Sequence, residues 1–268
     1  MSPTTPPLAQ VIAPANWTVV EFISDLHLQT QEPLTLQAWA HYLANTQADA
    51  VFILGDLFDV WVGDDVQADG FEDHCCRTLR AAAAHRAVFF MHGNRDFLLG
   101  DAFAQTCQLT LLADPTVLVF GGQRWLLSHG DALCLDDRPY LEFRAKVRAA
   151  AWQTEFLARP LAERQAIAQG LRQQSDARKR SGMSYGDVDS DAARQALHTA
   201  MAHTLIHGHT HQPADHDLGQ GLRRIVLSDW DGAATPARAQ VLRLRLRLDD
   251  THPPGYVLVQ RLDASQGP

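Results

Sequence analysis

Cysteine is scarce in this sequence, and the few thiols lack the spacing of a shared site. The 268 residues include four cysteines, Cys75, Cys76, Cys107 and Cys134, with no C-x-x-C pair. This pattern favours neither a disulfide framework nor a thiolate zinc site, and it fits a reducing compartment such as the cytoplasm.

Long apolar runs are also missing. No stretch approaches the roughly 18 uninterrupted apolar residues of a membrane-spanning helix, and residues 1–17 lack the basic and apolar regions of an export signal. We therefore expect a soluble protein that is not exported. Residues 1–16, rich in proline and small side chains, are predicted to be a disordered tail, and residues 17–268 a single domain with an insertion.

Positive charge is the minority charge, but it is concentrated in one segment. The net charge is −8, whereas Arg138 to Arg180 contains ten Lys or Arg residues against four Asp or Glu. The overall acidity argues against general nucleic-acid binding, and no nucleic-acid partner is expected. The local excess of positive charge requires an explanation of its own.

Short β-rich runs alternate with helix-compatible segments in the first half of the chain. The runs cover residues 18–23, 50–54, 87–91, 116–120, 124–128, 204–207 and 224–228. Helix-compatible segments at 34–45 and 71–85 lie between the early runs, which predicts a layered α/β architecture. Gly121-Gly122-Gln123 joins two later runs as a hairpin, so we expect mixed sheets.

Two segments allow more than one interpretation. The period-two run VLRLRLRL at 241–248 is compatible with a nucleic-acid-binding face of arginines, or with a half-buried strand whose polar face meets water. Residues 138–200 contain no strand signal and predict an α-helical lid between two loops rich in metal-binding side chains. This insertion is either a cover for a substrate or a solvated helical hairpin.

Five of the β-rich runs are followed by side chains that bind metals. Alone, each would be interpreted as a turn or capping residue, but their repetition predicts a common site at the carboxyl ends of the strands. The candidate ligands are Asp25, His27, Asp56, Asn94, His129, His209 and His211. In Asp-x-His and His-x-His, a short extended segment would direct alternate side chains to the same side.

The chemistry of these ligands favours hard or borderline divalent ions. Asp, Asn and His without thiolate suit such ions, and seven ligands suffice for two of them. Two ions about 3.5–4 Å apart can activate water and hold a phosphoryl group for in-line attack. The sequence therefore predicts a two-metal phosphoester hydrolase.

The motifs D-x-H, G-D-x-x-D, G-N-R-D, H-G-D and G-H-T-H, in this order over residues 24–211, resemble the calcineurin-like metallophosphoesterases. The resemblance implies a four-layer α/β/β/α sandwich of two mixed sheets with a helical lid. It implies one metal site formed by Asp25, His27, Asp56 and His211, and a second formed by Asp56, Asn94, His129 and His209. Asp56 would bridge the two ions, while Asp59 would orient loops.

The longer runs SDLHL, GDLFDVWVGDD, HGNRDFLLG, HGDALCLDD and IHGHTHQP are similar to a branch of the family that acts on an acylated UDP-sugar in lipid A synthesis. This resemblance implies cleavage of UDP-2,3-diacylglucosamine to UMP and 2,3-diacylglucosamine 1-phosphate, with two manganese ions. It also implies a cytoplasmic protein, peripheral on the anionic inner-membrane surface, without an obligate protein partner.

The same resemblance assigns roles to individual residues. Most of the family has His after the Asn, whereas this chain has Arg95, a fixed cation suited to a pyrophosphate substrate. Asn94, Arg95 and His209 are the expected catalytic residues. The expected substrate contacts are Asn94, Arg95, Asp137, Ser175, Lys179, Arg180 and His209.

Two other functions remain open from the sequence. A related metallophosphoesterase could act on a soluble nucleotide pyrophosphate or cyclic nucleotide, but such an enzyme would not need an apolar, basic lid. A non-catalytic scaffold could keep the fold without turnover, but scaffolds lose metal ligands and all seven candidates are present here.

Overall fold

The computed structural model describes residues 7–66, 70–180, 186–248 and 251–264, except for the side chains of 174–180. The helices are α1 (Pro33–Asn45), α2 (Phe71–Ala83), α3 (Asp101–Cys107), α4 (Arg138–Val147), α5 (Ala150–Leu157), α6 (Leu161–Arg180) and α7 (Ser190–Ala200). The strands are β1 (Ala9–Ile12), β2 (Val19–Ile23), β3 (Ala50–Leu54), β4 (Ala87–Met91), β5 (Thr110–Leu112), β6 (Thr116–Phe120), β7 (Gln123–Ser128), β8 (Thr204–His207), β9 (Ala214–Gly219), β10 (Leu222–Val226), β11 (Gln240–Leu246) and β12 (Val257–Asp263).

The strands form two six-stranded sheets. The first has the order β12-β11-β2-β3-β4-β5, with β2 to β5 parallel and β11 antiparallel to both its neighbours. The second has the order β1-β6-β7-β8-β10-β9, and the predicted hairpin is the antiparallel pair β6 and β7. Both sheets are mixed, as the sequence predicts.

The two sheets stack face to face, and helices cover their outer faces. Phe22, Phe52 and Phe89 lie between the sheets, with ring centroids 5.2 Å and 4.5 Å apart for successive pairs. Helices α1 to α3 pack on the first sheet, and α7 packs on the second. The four-layer α/β/β/α sandwich expected from the sequence is confirmed. Central strands such as AVFIL are apolar throughout because both of their faces are buried.

The predicted disordered tail is wrong for residues 9–12. These residues form β1, which pairs in parallel with β6 from Ala9 opposite Thr116 to Ile12 opposite Val119. The partner strand β6 lies more than a hundred residues away, so the local composition of the tail does not indicate that residues 9–12 form a strand. Residues 1–6 lie outside the described part of the chain.

The predicted helical insertion divides into two parts. Helices α4, α5 and α6 form a cap over the first sheet's side of the molecule, where Trp152, Leu161 and Ala168 pack on the core around α1 to α3. Helix α7 instead buries Ala193 and Leu197 against the second sheet, so it belongs to the sandwich and not to the lid. Among the described helices, none has both the length and the apolar character needed to cross a membrane.

Candidate metal centre

All seven predicted metal ligands lie at one end of the sandwich. Asp25 and His27 follow β2, Asp56 follows β3 and Asn94 follows β4, three neighbouring parallel strands of the first sheet. The remaining ligands, His129, His209 and His211, follow β7 and β8, which are neighbours in the second sheet. The carboxyl ends of five strands therefore supply one site, as the sequence predicts.

The backbone at the ligands differs from the sequence expectation. The Asp-x-His and His-x-His segments are not extended. Among the described residues other than glycine, only eight have positive φ, and five of these eight are candidate ligands: Asp25 (56°), His27 (48°), Asp56 (53°), His209 (69°) and His211 (54°). This left-handed conformation is unfavourable for side chains with a Cβ, and it turns each chain sharply after its strand.

Glycines let the ligand loops approach one another. A Cβ on Gly93 would lie 2.0 Å from Oδ1 of Asp56, and one on Gly208 would lie 2.4 Å from Oδ2 of Asp25. The second contact joins the two sheets, because Gly208 follows β8 and Asp25 follows β2. Any larger residue at either position would displace a candidate ligand.

One group of ligands combines Asp25, His27 and His211. Their ligand atoms lie within 4.8 Å of one another. The Nε2 atoms of His27 and His211 are 3.2 Å apart, and Nε2 of His211 is 3.4 Å from Oδ1 of Asp25. The other oxygen of Asp25 accepts hydrogen bonds from the Ser24 hydroxyl (2.6 Å) and the His209 amide (2.9 Å), which fixes the carboxylate.

A second group combines Asn94, His129 and His209. Oδ1 of Asn94 lies 3.0 Å from Nε2 of His129 and 2.9 Å from Nδ1 of His209. Nδ1 of His129 lies 2.9 Å from the Leu54 carbonyl oxygen and donates to it, which leaves the Nε2 lone pair directed into the site.

Asp56 lies between the two groups. Its Oδ2 atom is 4.0 Å from Nε2 of His27 and 3.8 Å from Nε2 of His129. Its Oδ1 atom accepts a hydrogen bond of 2.8 Å from the Arg95 amide. One carboxylate is thus adjacent to a ligand of each group, which is the position a bridging ligand requires.

The buried polar atoms of this site fit divalent cations. Oδ1 of Asp25 is fully buried and accepts no hydrogen bond of standard geometry in the described structure. Burial opposes ionisation of Asp25, but the His211 imidazole, whose Nε2 is 3.4 Å from Oδ1, holds the pKa of Asp25 below its ordinary range. Burial likewise lowers the pKa of His129, but Asp56 and Asp25 outweigh it and raise that pKa to about 9. Without a metal ion, a protonated His129 supplies the positive charge beside Asp56 and Asp25.

Two buried carboxylates support the ligand loops through hydrogen bonds. Asp96 accepts hydrogen bonds from the amides of Leu57 (2.7 Å) and Gly93 (2.8 Å), which joins the loops after β3 and β4. Burial and the neighbouring charge of Asp56 raise the pKa of Asp96 to about 6. Asp131 accepts from the Tyr140 hydroxyl (2.5 Å) and from Nε of Arg144 (2.7 Å). Asp131 therefore ties α4 to the loop after β7.

A cleft of about 290 Å³ opens directly onto the ligands and continues beneath the cap. Its metal end is lined by His27, Asp56, Asn94, His209 and His211. The rest of the cleft, its apolar end, is lined mostly by Val60, Trp61, Val62, Phe97, Leu98, Phe143, Trp152, Phe156, Ala168 and Leu171, together with the paired Asp59 and Arg172. A single cavity therefore combines a polar, metal-binding end with a long apolar wall.

Four of the seven predicted substrate contacts lie in the cleft. Asn94, Arg95, Asp137 and His209 all line this cleft, and Asp137 also accepts the Tyr140 amide (3.1 Å) at the start of α4. The side chains of Ser175, Lys179 and Arg180 lie outside the described residues. Tyr140 also lines the cleft and stacks on His209 at 5.9 Å, a contact that the sequence analysis missed. Its i+3 spacing from Asp137 on one helix was the available signal.

Four arginines of the cap with described side chains contact other parts of the protein. Arg144 pairs with Asp131, Arg148 donates to the Gly93 carbonyl oxygen (2.8 Å), Arg164 pairs with Asp65, and Arg172 pairs with Asp59. These four arginines hold the cap against the loops that carry the ligands, which explains part of the local excess of positive charge.

The comparisons with known proteins agree with this architecture. The calcineurin-like phosphoesterase family matches residues 19–213. A protein of Aromatoleum aromaticum named UDP-2,3-diacylglucosamine hydrolase is 45% identical over 231 residues, covering 80% of this chain and 94% of that protein. The protein of the same name in Chromobacterium violaceum is 46% identical over 222 residues, covering 80% and 91%.

Among solved structures, Vps29 of Entamoeba histolytica is similar with a TM-score of 0.43 and 16% identity, covering 91% of this chain and 98% of that protein. The family match extends over most of the chain and includes every candidate ligand. The chain therefore belongs to the calcineurin-like phosphoesterase family.

Proposed function

We propose that this protein hydrolyses the pyrophosphate bond of UDP-2,3-diacylglucosamine. Water adds to one phosphorus, the bridging P–O bond breaks, and the products are UMP and 2,3-diacylglucosamine 1-phosphate. Relatives that are 41–46% identical carry the name UDP-2,3-diacylglucosamine hydrolase, and each aligns over about nine tenths of its length. This similarity supports the same substrate for the present chain.

The observation that carries the proposal is the composition of the cleft. A soluble nucleotide would need only the polar end of the cleft. A diacylated sugar nucleotide also has acyl chains, which would move from water to the apolar wall. Each buried methylene contributes about 0.8 kcal/mol. The apolar side chains that line the cleft would not be needed to bind a cyclic nucleotide or another soluble diester.

The metal centre is proposed to hold two divalent ions, with manganese as the physiological metal. Asp25, His27, Asp56 and His211 would hold one ion, and Asp56, Asn94, His129 and His209 the other. When bound, such ions supply charge that polarises the phosphoryl group and lowers the pKa of the attacking water. The carboxylate and amide oxygens among these ligands suit manganese, and none of the ligands is a thiolate.

Other residues of the cleft are proposed to act on the substrate directly. The backbone of Arg95 is held on both sides, since its amide donates to Asp56 and its carbonyl oxygen accepts from the Trp61 amide (3.1 Å). Its guanidinium would stabilise negative charge on the pyrophosphate as the bond breaks. Asn94 and His209 would contact the same phosphate oxygens. Asp137, Ser175, Lys179 and Arg180 would bind the remainder of the substrate.

The protein is proposed to work at the cytoplasmic face of the inner membrane as a peripheral protein. Val60 and Leu171, at the apolar end of the cleft, are 37% and 39% exposed. Large apolar side chains at the mouth of a cleft are suited to receiving a substrate from a lipid surface. Basic residues of the cap would favour an anionic membrane.

A direct assay tests the proposal. Purified protein with Mn²⁺ is incubated with UDP-2,3-diacylglucosamine, and the products are identified by mass spectrometry. UDP-N-acetylglucosamine is the matched substrate without the two long acyl chains, and bis-p-nitrophenyl phosphate and a cyclic nucleotide represent the soluble alternatives. We expect UMP and the diacylated sugar phosphate to form with the highest kcat/KM. A higher kcat/KM on a soluble substrate would reject the proposal.

A further inference from the structure

Arg164 on α6 is a buried cation that takes no part in the metal centre. Its side chain is only 2% exposed, and among the described residues only Trp39 has a larger fully buried side chain. Such burial is costly for a charged group unless hydrogen bonds and an opposite charge compensate for it. The surroundings of Arg164 supply both.

The guanidinium of Arg164 joins α6 to the loop that follows β3. It forms a two-pronged ion pair with Asp65, including a hydrogen bond of 2.9 Å from Nη1 to Oδ1, and it also donates to the Val62 carbonyl oxygen. Its Nε donates to the Arg159 carbonyl oxygen (3.0 Å), which closes the turn between α5 and α6. Arginine alone offers this planar set of donors.

The loop and the helix fit closely around this contact. Gly63 has a φ of 130°, and a Cβ at that position would lie 2.4 Å from Nη1 of Arg164 and 2.9 Å from a methyl carbon of Leu157. No side chain therefore separates the loop from the helix. Arg164 and, further along α6, Arg172 with Asp59 join the helix to this loop, and Arg164 is the buried member of the two.

The two elements joined by Arg164 both contribute side chains to the apolar end of the cleft. Trp61 and Val62 line it from the loop, and Ala168 and Leu171 line it from α6, whereas Arg164 itself does not line it. We propose that Arg164 is a positioning residue that sets the width of the acyl-binding end of the cleft, and so determines the acyl-chain length that the enzyme selects. This inference rests on the proposed function.

The expected behaviour is a selectivity effect. A cleft of fixed width binds an acyl chain that fills it most tightly. Each added methylene that fits changes the affinity by up to about fourfold. If α6 is released from the loop, chains of different length should bind with similar affinity. Asp56, at the start of this loop, is fixed separately by the Arg95 amide, and the other metal ligands lie on other elements, so turnover of a small diester should be spared.

The test compares Arg164→Met with wild-type protein on UDP-2,3-diacylglucosamines whose acyl chains differ by two methylenes. Arg159→Met is the matched control, because in the described part of the chain that guanidinium pairs with Glu155 and Glu163 on the surface of the cap. We expect Arg164→Met to raise KM for the preferred substrate and to reduce the ratio of kcat/KM between chain lengths at least about fivefold. Arg164→Lys should recover part of this ratio, while hydrolysis of bis-p-nitrophenyl phosphate should change less than about twofold.

Asp65→Asn provides an independent variant if Arg164→Met does not fold. Asp65 is 60% exposed, and in Asp65→Asn the buried guanidinium of Arg164 keeps its carbonyl acceptors. We therefore expect a smaller change, in the same direction, in the ratio of kcat/KM between chain lengths. Hydrogen exchange of α6 and the 61–66 loop should accelerate in both variants. Unchanged chain-length selectivity in folded variants, or equal losses on lipid and small substrates, would overturn the role of Arg164. Absence of wild-type activity on any diacylated substrate would instead reject the proposed function.

Discussion

At the scale of single residues, the centre depends on backbone conformations that the side chains do not favour. A left-handed conformation costs about 1–3 kcal/mol for a residue with a Cβ, and Asp25, His27, Asp56, His209 and His211 all adopt it. The neighbouring contacts make up for this cost. The amide of Arg95 fixes Asp56, and the Ser24 hydroxyl fixes Asp25. Strain that recurs at five ligands is consistent with their proposed role in binding metal.

Arg95 carries a prediction at this scale. Its backbone is held by Asp56 and Trp61, so Arg95→Ala should leave the loop in place and remove only the guanidinium. Because a fixed cation acts most on charge that develops in the transition state, kcat should fall about 10²-fold or more while KM changes little. Steady-state kinetics on the diacylated substrate measure both parameters.

Arg77→Ala is the control, since Arg77 lies on the surface of α2 and pairs with Asp73. Arg95→Lys should recover only part of kcat, because lysine keeps the charge without the planar set of donors. Full kcat in Arg95→Ala would show that the guanidinium does not act on the reacting phosphate.

At the scale of secondary-structure elements, arginines hold the cap in place. Some apolar residues of the cap pack on the core, and others line the cleft. Phe156 is only 6% exposed and stacks on Trp152 at 4.7 Å, and both residues pack on the core beside α1 to α3. A charged residue at either position would therefore damage folding as well as substrate binding. Leu171 on α6 is the better probe, because it lines the cleft and is 39% exposed.

Leu171→Gln is expected to weaken the diacylated substrate selectively. Loss of apolar contact at a partly exposed leucine corresponds to about 1–1.5 kcal/mol, or about a tenfold rise in KM. Hydrolysis of bis-p-nitrophenyl phosphate should be nearly unchanged, because the metal ligands lie on other elements. Leu34→Gln serves as the control, since Leu34 on α1 is 51% exposed and does not line the cleft. Equal losses on both substrates would indicate damage to the fold or the metal centre.

At the scale of the whole molecule, the metal centre joins the two sheets. Its proposed ligands come from three strands of one sheet and two of the other, and Gly208 contacts Asp25 across the interface. Bound ions should therefore stabilise the complete sandwich. A ligand present at a hundred times its Kd adds about 2.7 kcal/mol to the free energy of unfolding.

Addition of Mn²⁺ to chelator-treated protein is expected to raise Tm by about 5 °C or more, as followed by calorimetry. Asp56→Asn should remove most of this shift, because that carboxylate lies between both groups of ligands. The affinity for Mn²⁺ should rise between pH 7 and pH 8, since the raised pKa of His129, about 9, means that a proton must leave before metal binds. A Tm that does not respond to Mn²⁺ would contradict the metal centre.

The sequence determined the main elements and the identity of the candidate site. Buried strands such as AVFIL are apolar along their whole length, and each is followed by polar residues that can bind metal, so both signals are local. The two mixed sheets, the hairpin of β6 and β7, and the convergence of seven ligands followed from these patterns. The helix predicted at 34–45 is present as α1, with a difference of one residue at its start.

Only the tertiary structure decided what depends on distant parts of the chain. The pairing of β1 with β6, the assignment of α7 to the sandwich, and the use of cap arginines as clamps all involve partners far away in sequence. The run VLRLRLRL gives the same lesson, because Arg243 pairs with the buried Glu21, 222 residues away, and so is not simply directed into water. The left-handed ligands could not be predicted either, since their conformation is unfavourable locally and is imposed by contacts between the loops.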